Sequence, residues 1–195
     1  GNVTDKRVRH ILAEKAVVRV HPTPPARSYE LLPSEYPLSK SVVNVGYFGA
    51  FYENRGLMEV LTALVNAPLA LRQETRLHVF TNRAEELARS VDQLGLTGVV
   101  KAQGYRPYLE FLNLATQFDV LLVNDVERSG ELSINPFLPS KYSDYLGAHR
   151  PVWGLIDEGS PLSTKALAYK SPVGNGVAAL TVLKQIHADW LAELL

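Results

Sequence analysis

The feature that most constrains the fold is an alternation, along nearly the whole chain, of short β-branched apolar runs with amphipathic stretches. This alternation is typical of a parallel sheet with helices on both faces. It predicts a doubly wound, Rossmann-like α/β fold. The predicted strands span residues 16–20, 42–48, 76–81, 99–103, 119–124, 151–156 and 168–172, and the predicted helices span 56–66, 84–94, 107–117, 140–148 and 176–195.

Two segments interrupt the pattern. Residues 21–37 are rich in proline, which fixes φ and cannot donate to a β-ladder, so they predict an extended linker. Residues 125–139 form a long connection between a strand and a helix, and loops of that length are often functional. The expected organisation is an N-terminal arm and crossing segment over residues 1–40, a binding domain over 41–175 and a C-terminal helix over 176–195.

Composition excludes several function classes. The 195 residues include 20 basic and 20 acidic side chains, so no overall charge favours nucleic acid or an anionic membrane. The chain has no cysteine, which excludes disulfides and thiolate metal sites, and its five histidines lack metal-ligand spacing. No apolar run approaches the length of a membrane span. We expect a cytoplasmic protein without a metal, and the initial glycine suggests part of a longer protein.

The polar residues that stand out follow predicted strands, where ligands bind in open α/β sheets. Gly49 follows the strand 42–48, and Arg55 offers a planar fork of donors for phosphate. The spacing matches neither the dinucleotide nor the triphosphate glycine motif. A turn glycine beside a solvated arginine explains the same residues equally well.

A second polar cluster begins the helix 140–148. Ser140 is a candidate N-cap, and Lys141 lies at the end of a helix where acidic residues are usually preferred. A lysine there suits an anion bound at the helix N-terminus, although it would also suit a side chain that simply points to solvent. Asp144, one turn later, is within reach of a ligand hydroxyl, or is an ordinary first-turn acid.

Taken together, the motifs resemble those of a known family. GAFYENR and PSKYSDYL match G-x-F-Y-x-x-R and P-S-K-x-x-[DE]-Y-L, and they occur in order with RLHVFT and GYRPYLEFLNLATQFDVLLVND between them. Over residues 17–163 the chain is similar to the C-terminal, donor-binding domain of bacterial retaining GT-B glycosyltransferases, the group 1 or family 4-like enzymes. The resemblance implies one half of a two-domain enzyme of cell-envelope polysaccharide synthesis, inactive without its N-terminal domain.

The resemblance also implies roles for single residues. Gly49 would let the loop close over the diphosphate of a nucleotide sugar, and Arg55 and Lys141 would neutralise its phosphates and stabilise the leaving group. Asp144 would bind the ribose hydroxyls. Tyr105 and Arg106 would flank the base, and the turn into Ser140 would supply amides to the phosphates. The nucleoside diphosphate sugar is then a substrate, and neither a cofactor nor a metal is implied.

The expected acceptor is a glycan, a lipid-linked molecule or a small molecule, bound through the N-terminal domain. Peripheral association with the inner face of the membrane is compatible with this assignment. The final helix, with Trp190, Leu191, Leu194 and Leu195, would pack toward that domain.

Two positions depart from the family pattern. Ala50 stands where many relatives carry an arginine, and Pro136 stands where the family has a glutamate that contacts the sugar; Glu131 is a weak substitute. A non-catalytic nucleotide-sugar module therefore stays an alternative. A nicotinamide-dependent enzyme is less favoured, because no acidic residue ends the second strand of the sheet.

The remaining candidates are predicted to be structural. His78 lies within a predicted strand and is expected to be a hydrogen-bonded core residue. Tyr108, Phe111 and Phe118 are expected in the core.

Overall fold

The computed structural model describes residues 21–52, 56–126 and 135–194. The predicted strand 16–20 and the candidate residues Arg55 and Glu131 lie outside these ranges. Within them the six other predicted strands are confirmed to within one residue at each end. They are β1 (Val43–Phe48), β2 (Thr75–Phe80), β3 (Val100–Gln103), β4 (Val120–Asn124), β5 (Val152–Ile156) and β6 (Tyr169–Pro172).

All six strands form one parallel sheet in the order β3-β2-β1-β4-β5-β6. This is the strand order of the dinucleotide-binding Rossmann fold, in which the chain reverses its direction of progress between β1 and β4. A crevice opens at that point, beyond the carboxyl ends of the two central strands. The topology therefore places the segment after β1 next to the segment after β4.

Six helices cover the sheet, and five of them match predicted helices. They are α1 (Met58–Val65), α2 (Leu69–Gln73), α3 (Ala84–Gln93), α4 (Tyr108–Ala115), α5 (Lys141–Gly147) and α6 (Gly176–Glu193), counted over the described residues. The helix α2, a single short turn after Pro68 that buries Leu71, was not predicted from the sequence. A pattern of five residues is too short to produce a recognisable helical periodicity.

Alternation along each strand separates the core into two layers. Val43, Val45 and Tyr47 of β1 face the layer that includes α1, α3 and α6, whereas Phe48 faces the opposite layer. Phe48 stacks there on Phe80 of β2, with ring centroids 4.5 Å apart. The successive side chains of a strand point to opposite faces, so a doubly covered sheet reads as a continuous apolar run.

Gly46 has a packing role. A Cβ atom at this position would lie 2.7 Å from the ring of Phe118, which packs directly over the strand. Phe118 is fully buried, as predicted, but Tyr108 is half exposed and Phe111 only partly buried. The prediction that Tyr108 belongs to the core is therefore wrong. It occupies the first position of α4, where the side chain reaches the edge of the sheet rather than its face.

The proline-rich segment differs from the extended linker that its sequence predicts. Residues Ala26–Tyr29 form a 3-10 turn, and Tyr29 is buried against α5. A Cβ at Gly147 would lie 2.5 Å from the Tyr29 ring, so this glycine makes the space that the tyrosine fills. Further along, Asn113 of α4 accepts a hydrogen bond from the Ser34 amide and donates one to the Tyr29 carbonyl. The prolines are compatible with these contacts because the segment forms no sheet pairing that would need their missing donors.

The α6 helix packs on this domain through Ala179, Leu183 and Ile186, while Leu191 and Leu194 near its end are exposed. Its predicted contact with a further domain stays a prediction. Among residues 21–52, 56–126 and 135–194, no helix is long and apolar enough to cross a membrane. The same described residues contain no cluster of three or more histidine, aspartate and glutamate side chains suited to a metal.

Candidate nucleotide-binding crevice

A cavity of about 380 Å³ lies at the carboxyl edge of the sheet, where the strand order reverses. It is bounded by the segments after β1 and β3, the first turns of α4 and α5, and the ends of β1 and β2. Six predicted site residues line it, and only Arg55 falls outside the described residues. The lining consists of Phe48, Gly49, Ala50, Tyr52, Phe80, Tyr105, Arg106, Tyr108, Phe111, Ser140, Lys141 and Asp144.

Gly49 and Lys141 are in direct contact across the crevice. A Cβ atom at Gly49 would lie 2.8 Å from Lys141 Cε and would collide with its Nζ. The Gly49 amide donates to the Phe80 carbonyl at 2.9 Å, which continues the sheet pairing by one residue beyond β1. Because Gly49 has no side chain, the end of the Lys141 side chain can occupy this space.

Lys141 does not point freely into solvent. It is only 9% exposed, and its ammonium lies 3.9 Å from the centroid of the Tyr47 ring. A cation over an aromatic face is attracted by the ring quadrupole. The Tyr47 hydroxyl in turn donates to Asn124 at the end of β4, 3.1 Å away. The lysine is thus a preplaced positive charge at the junction of the two central strands.

Asp144 is buried one turn after Lys141 in α5, where it accepts a hydrogen bond from Tyr108. The Tyr108 hydroxyl donates to Asp144 Oδ1 at 2.7 Å. Burial raises the pKa of the Asp144 carboxyl, while this hydrogen bond and the nearby His21 act in the opposite direction. Burial, followed by the hydrogen bond to Asp144 and its charge, raises the pKa of the Tyr108 phenol above its usual value.

The proline-rich segment makes two hydrogen bonds to α5, the helix that contains Asp144. The Tyr29 hydroxyl donates to the Asp144 carbonyl oxygen at 2.5 Å, and Ser143 Oγ donates to the His21 carbonyl at 2.7 Å. Burial, with the charge of Asp144, raises the pKa of Tyr29 to about 12, so its hydroxyl stays a donor at ordinary pH. The proline-rich segment therefore holds the main chain of the site residue.

Tyr105 and Arg106 form the outer wall. Tyr105 is exposed, while the Arg106 guanidinium lies 5.6 Å from the centroid of the Phe80 ring and Nη1 is 3.3 Å from Glu110 Oε1. Tyr105, Tyr108 and Tyr52 are exposed, and all three line the cavity. Flat apolar faces beside a cationic centre suit a ligand with a planar ring and an anionic group.

Ser140 lies at the predicted start of α5, but its side chain makes no capping hydrogen bond. Its own backbone already has helical dihedral angles, with φ −57° and ψ −35°. A capping side chain normally belongs to a residue outside the helical region, from which its oxygen reaches back to the amides. The capping role predicted for Ser140 is therefore wrong, although the residue does border the cavity.

Two asparagines position the segment after β1. Asn82 Oδ1, just beyond β2, accepts from the Phe51 amide at 2.8 Å. Asn124 Nδ2, at the end of β4, donates to the Gly56 carbonyl at 2.9 Å. These contacts fix the described ends of the loop that contains Arg55.

Neither Tyr108 nor the two asparagines were predicted as site residues from the sequence. Tyr108 could have been found from its place directly after Tyr105, Arg106 and Pro107, at the first position of a helix that follows a strand. The asparagines share a weaker signal, because each lies at or just after the carboxyl end of a strand.

A second cavity, of about 300 Å³, adjoins the first at Tyr52 and lies between α1 and α3. Its lining includes Arg83, Glu86 and Glu59. Charges of both signs define no ligand class, so the crevice with Lys141 and Asp144 is the stronger candidate site.

Comparison with known proteins shows the fold. No protein-family profile matches the sequence, and no curated protein matches it by sequence. The structure is similar to Anabaena Alr3699/HepE in complex with UDP, with a TM-score of 0.57 at 16% identity over 76% of this chain and 40% of HepE. It is similar to WaaG, a glycosyltransferase involved in lipopolysaccharide biosynthesis, with a TM-score of 0.57 at 14% identity over 97% of this chain and 55% of WaaG.

A third similar structure is a separate domain. The C-terminal domain of the glycosyl transferase group 1 protein LpcC from Francisella tularensis has a TM-score of 0.52 at 12% identity, over 86% of this chain and 96% of that domain. The chain thus spans about 40% of HepE but nearly all of the LpcC domain. At these identities the likeness establishes the fold, which is the Rossmann-like α/β fold of GT-B glycosyltransferase domains.

Proposed function

We propose that this chain is the donor-binding domain of a retaining glycosyltransferase, which transfers a sugar from a nucleoside diphosphate to a glycan, a lipid-linked molecule or a small acceptor. The diphosphate would lie over Gly49 between Lys141 and Arg55. The ribose would lie against Asp144, and the base would lie along Tyr105 and Arg106.

One observation carries this proposal. A buried lysine, a glycine that makes space for it and a buried carboxylate line a single cavity at the switch point of the sheet. Cations suit the phosphates of such a ligand, and a carboxylate suits its hydroxyls. Both kinds of group line one cavity, together with the aromatic residues Tyr52, Tyr105 and Tyr108.

The chemistry follows from the leaving group. When the glycosidic bond of the donor breaks, negative charge grows on the nucleoside diphosphate. A lysine already held in place stabilises that charge without reorganising at the moment of reaction, and Arg55 would add a second cation. The two basic side chains would supply charge stabilisation that a metal ion gives elsewhere.

The solved structures with this fold support a nucleotide-sugar ligand. HepE was crystallised with UDP and with UDP-glucose, and a further similar structure carries UDP-2-fluoro glucose. The acceptor would bind to a further domain, since the chain spans about 40% of HepE. A cytoplasmic location, at the inner face of the membrane where the acceptor is a lipid, completes the proposal.

Titration calorimetry with UDP, GDP, ADP, CDP and dTDP tests nucleotide binding. We expect at least one of them to bind, and Lys141→Ala and Arg55→Ala each to weaken that binding roughly ten- to a hundredfold, the worth of one charge-assisted contact. Lys184→Ala is the matched control, because it removes a lysine from the exposed face of α6. Binding that is absent throughout, or unaffected by both site variants, refutes the assignment.

Transfer and stereochemistry are tested on the full-length protein. We expect a sugar nucleotide to be consumed only when an acceptor is supplied, and proton NMR of the first product to show the anomeric configuration of the donor. A product of opposite configuration would refute the retaining mechanism while leaving the nucleotide site in place.

A non-catalytic nucleotide-sugar module is the second candidate, and Pro136 favours it. Pro136 stands at the position where the glycosyltransferases that this chain resembles carry a glutamate that contacts the sugar. Such a module would bind the sugar nucleotide with the same dependence on Lys141 but would show no transfer in the full-length protein with any acceptor.

A further inference from the structure

Asp144 and Tyr108 form a hydrogen-bonded pair inside the crevice, and the pair joins two different helices. Tyr108 is the first residue of α4, and Asp144 lies in the first turn of α5. Their side chains meet at 2.7 Å between the Tyr108 hydroxyl and Asp144 Oδ1. Both residues line the same cavity, so a ligand bound there can reach the pair.

The carboxylate keeps acceptor capacity after this bond is made. An ionised carboxylate offers about four acceptor positions on its two oxygens. Within residues 21–52, 56–126 and 135–194, Tyr108 is the one side chain that hydrogen-bonds to the Asp144 carboxylate. Its second oxygen is therefore available to a ligand hydroxyl while the first is held.

The backbone of Asp144 is held as well. The Tyr29 hydroxyl donates to its carbonyl oxygen, so the residue is fixed at the main chain by one tyrosine and at the side chain by another. This matters because the terminal torsion of an aspartate is broad and has no strong preference of its own. Without Tyr108 the carboxylate plane could rotate about that torsion.

We propose that Tyr108 is a positioning residue that holds Asp144 Oδ1 and thereby sets the selectivity of the crevice for a ribose with free hydroxyls over a deoxyribose. The inference rests on the proposed function, since it assumes a nucleotide in the crevice. A site built to accept hydrogen bonds from a ligand hydroxyl rejects the analogue that lacks it, because its own buried group is then left unpaired. That discrimination depends on the orientation of the carboxylate.

The test measures the dissociation constants of UDP, GDP and ADP, each paired with its 2′-deoxy counterpart, for the wild type and for Tyr108→Phe. The ribose preference is the dissociation constant of the deoxy form divided by that of the ribo form. We expect a wild-type preference of roughly tenfold or more and a large loss of that preference in Tyr108→Phe, with the deoxy form bound about as before. Asp144→Ala should abolish the preference, and Tyr108→Phe should then have no further effect.

Tyr169→Phe is the matched control. It removes another tyrosine–aspartate hydrogen bond, from Tyr169 to Asp189 Oδ2 at 2.9 Å, which joins β6 to α6 far from the crevice. We expect it to leave the ribose preference unchanged. A purely structural role for Tyr108 would weaken the ribo and deoxy forms equally.

The outcomes separate the two proposals. If no nucleoside diphosphate binds the wild type, the proposed function fails and this inference fails with it. If the wild type prefers ribose and Tyr108→Phe keeps the full preference, only the positioning role is refuted. Tighter ribose binding in Tyr108→Phe would also refute it, because the hydroxyl would then be competing with the ligand.

Discussion

Gly49→Ala gives the sharpest test of how the crevice is built. The φ angle of Gly49 lies outside the left-handed region, so its backbone accepts alanine and the effect must come from the added Cβ. That atom would lie 2.8 Å from Lys141 Cε, whereas carbon atoms in ordinary contact are about 3.5 to 4.0 Å apart. The flexible end of the lysine side chain must therefore move away by about 1 Å or more.

The displacement should cost more in binding than in stability. Leaving the Tyr47 ring forfeits a cation–π contact of about 1 to 2 kcal/mol, which is the expected fall in the free energy of unfolding. Losing the ammonium from the phosphate site should weaken binding of a nucleoside diphosphate roughly ten- to a hundredfold. Urea denaturation and titration calorimetry measure the two effects separately.

The double variant decides the mechanism. If Gly49→Ala acts by displacing Lys141, Gly49→Ala combined with Lys141→Ala should bind no more weakly than Lys141→Ala alone, since neighbouring sites that share a mechanism are not additive. Gly104→Ala is the control, because its Cβ would meet open space after the neighbouring strand β3. Additive losses in the double variant, or wild-type binding by Gly49→Ala, would refute the reasoning.

Two further predictions concern stability. Gly147→Ala places a Cβ 2.5 Å from the Tyr29 ring. We expect it to lower the free energy of unfolding, measured by urea denaturation, by about 1 to 3 kcal/mol. A variant as stable as the wild type would show that Tyr29 and Gly147 are not tightly packed. His78 should make stability depend on pH, because burial and the charges of Lys101 and Arg76 lower its pKa from 6.5 to about 3. The unfolded state then binds more protons, so stability should fall as the pH drops from about 6.5 toward 3, and His78→Asn should flatten this part of the profile in urea titrations at several pH values.

The hydrogen bonds of His78 are consistent with a neutral imidazole ring. Nε2 donates to Asn44 Oδ1 at 3.2 Å, and Nδ1 accepts from the Tyr36 hydroxyl at 3.1 Å, an arrangement that uses the neutral ring. The core role expected for this histidine is confirmed by its burial. Protonation would place a second N–H opposite the tyrosine oxygen and a charge among the aromatic rings.

The fold class, and the edge of the sheet at which polar residues gather, could be predicted from the amino-acid pattern alone. Runs such as VNVGYF and VLLVN are mostly apolar and lack a regular polar alternation, and between them lie patterns with helical periodicity. A parallel sheet covered by helices on both faces buries such runs. The carboxyl ends of parallel strands share one edge, which is why Gly49, Lys141 and Asp144 could be assigned to a common crevice before their distances were known.

Which of these residues are in contact depends on the tertiary structure. The contact between Gly49 and Lys141 joins positions 92 residues apart in the chain, and the pairing of Tyr108 with Asp144 depends on how two short helices pack. The periodicity of the sequence predicts which face of a helix or strand a residue occupies. It does not predict which distant residue contacts that face. For the same reason Tyr108 was assigned to the core, because its hydrogen bond to Asp144 is not visible in the sequence. Likewise, Tyr29 packs against α5 in the space that Gly147 leaves open.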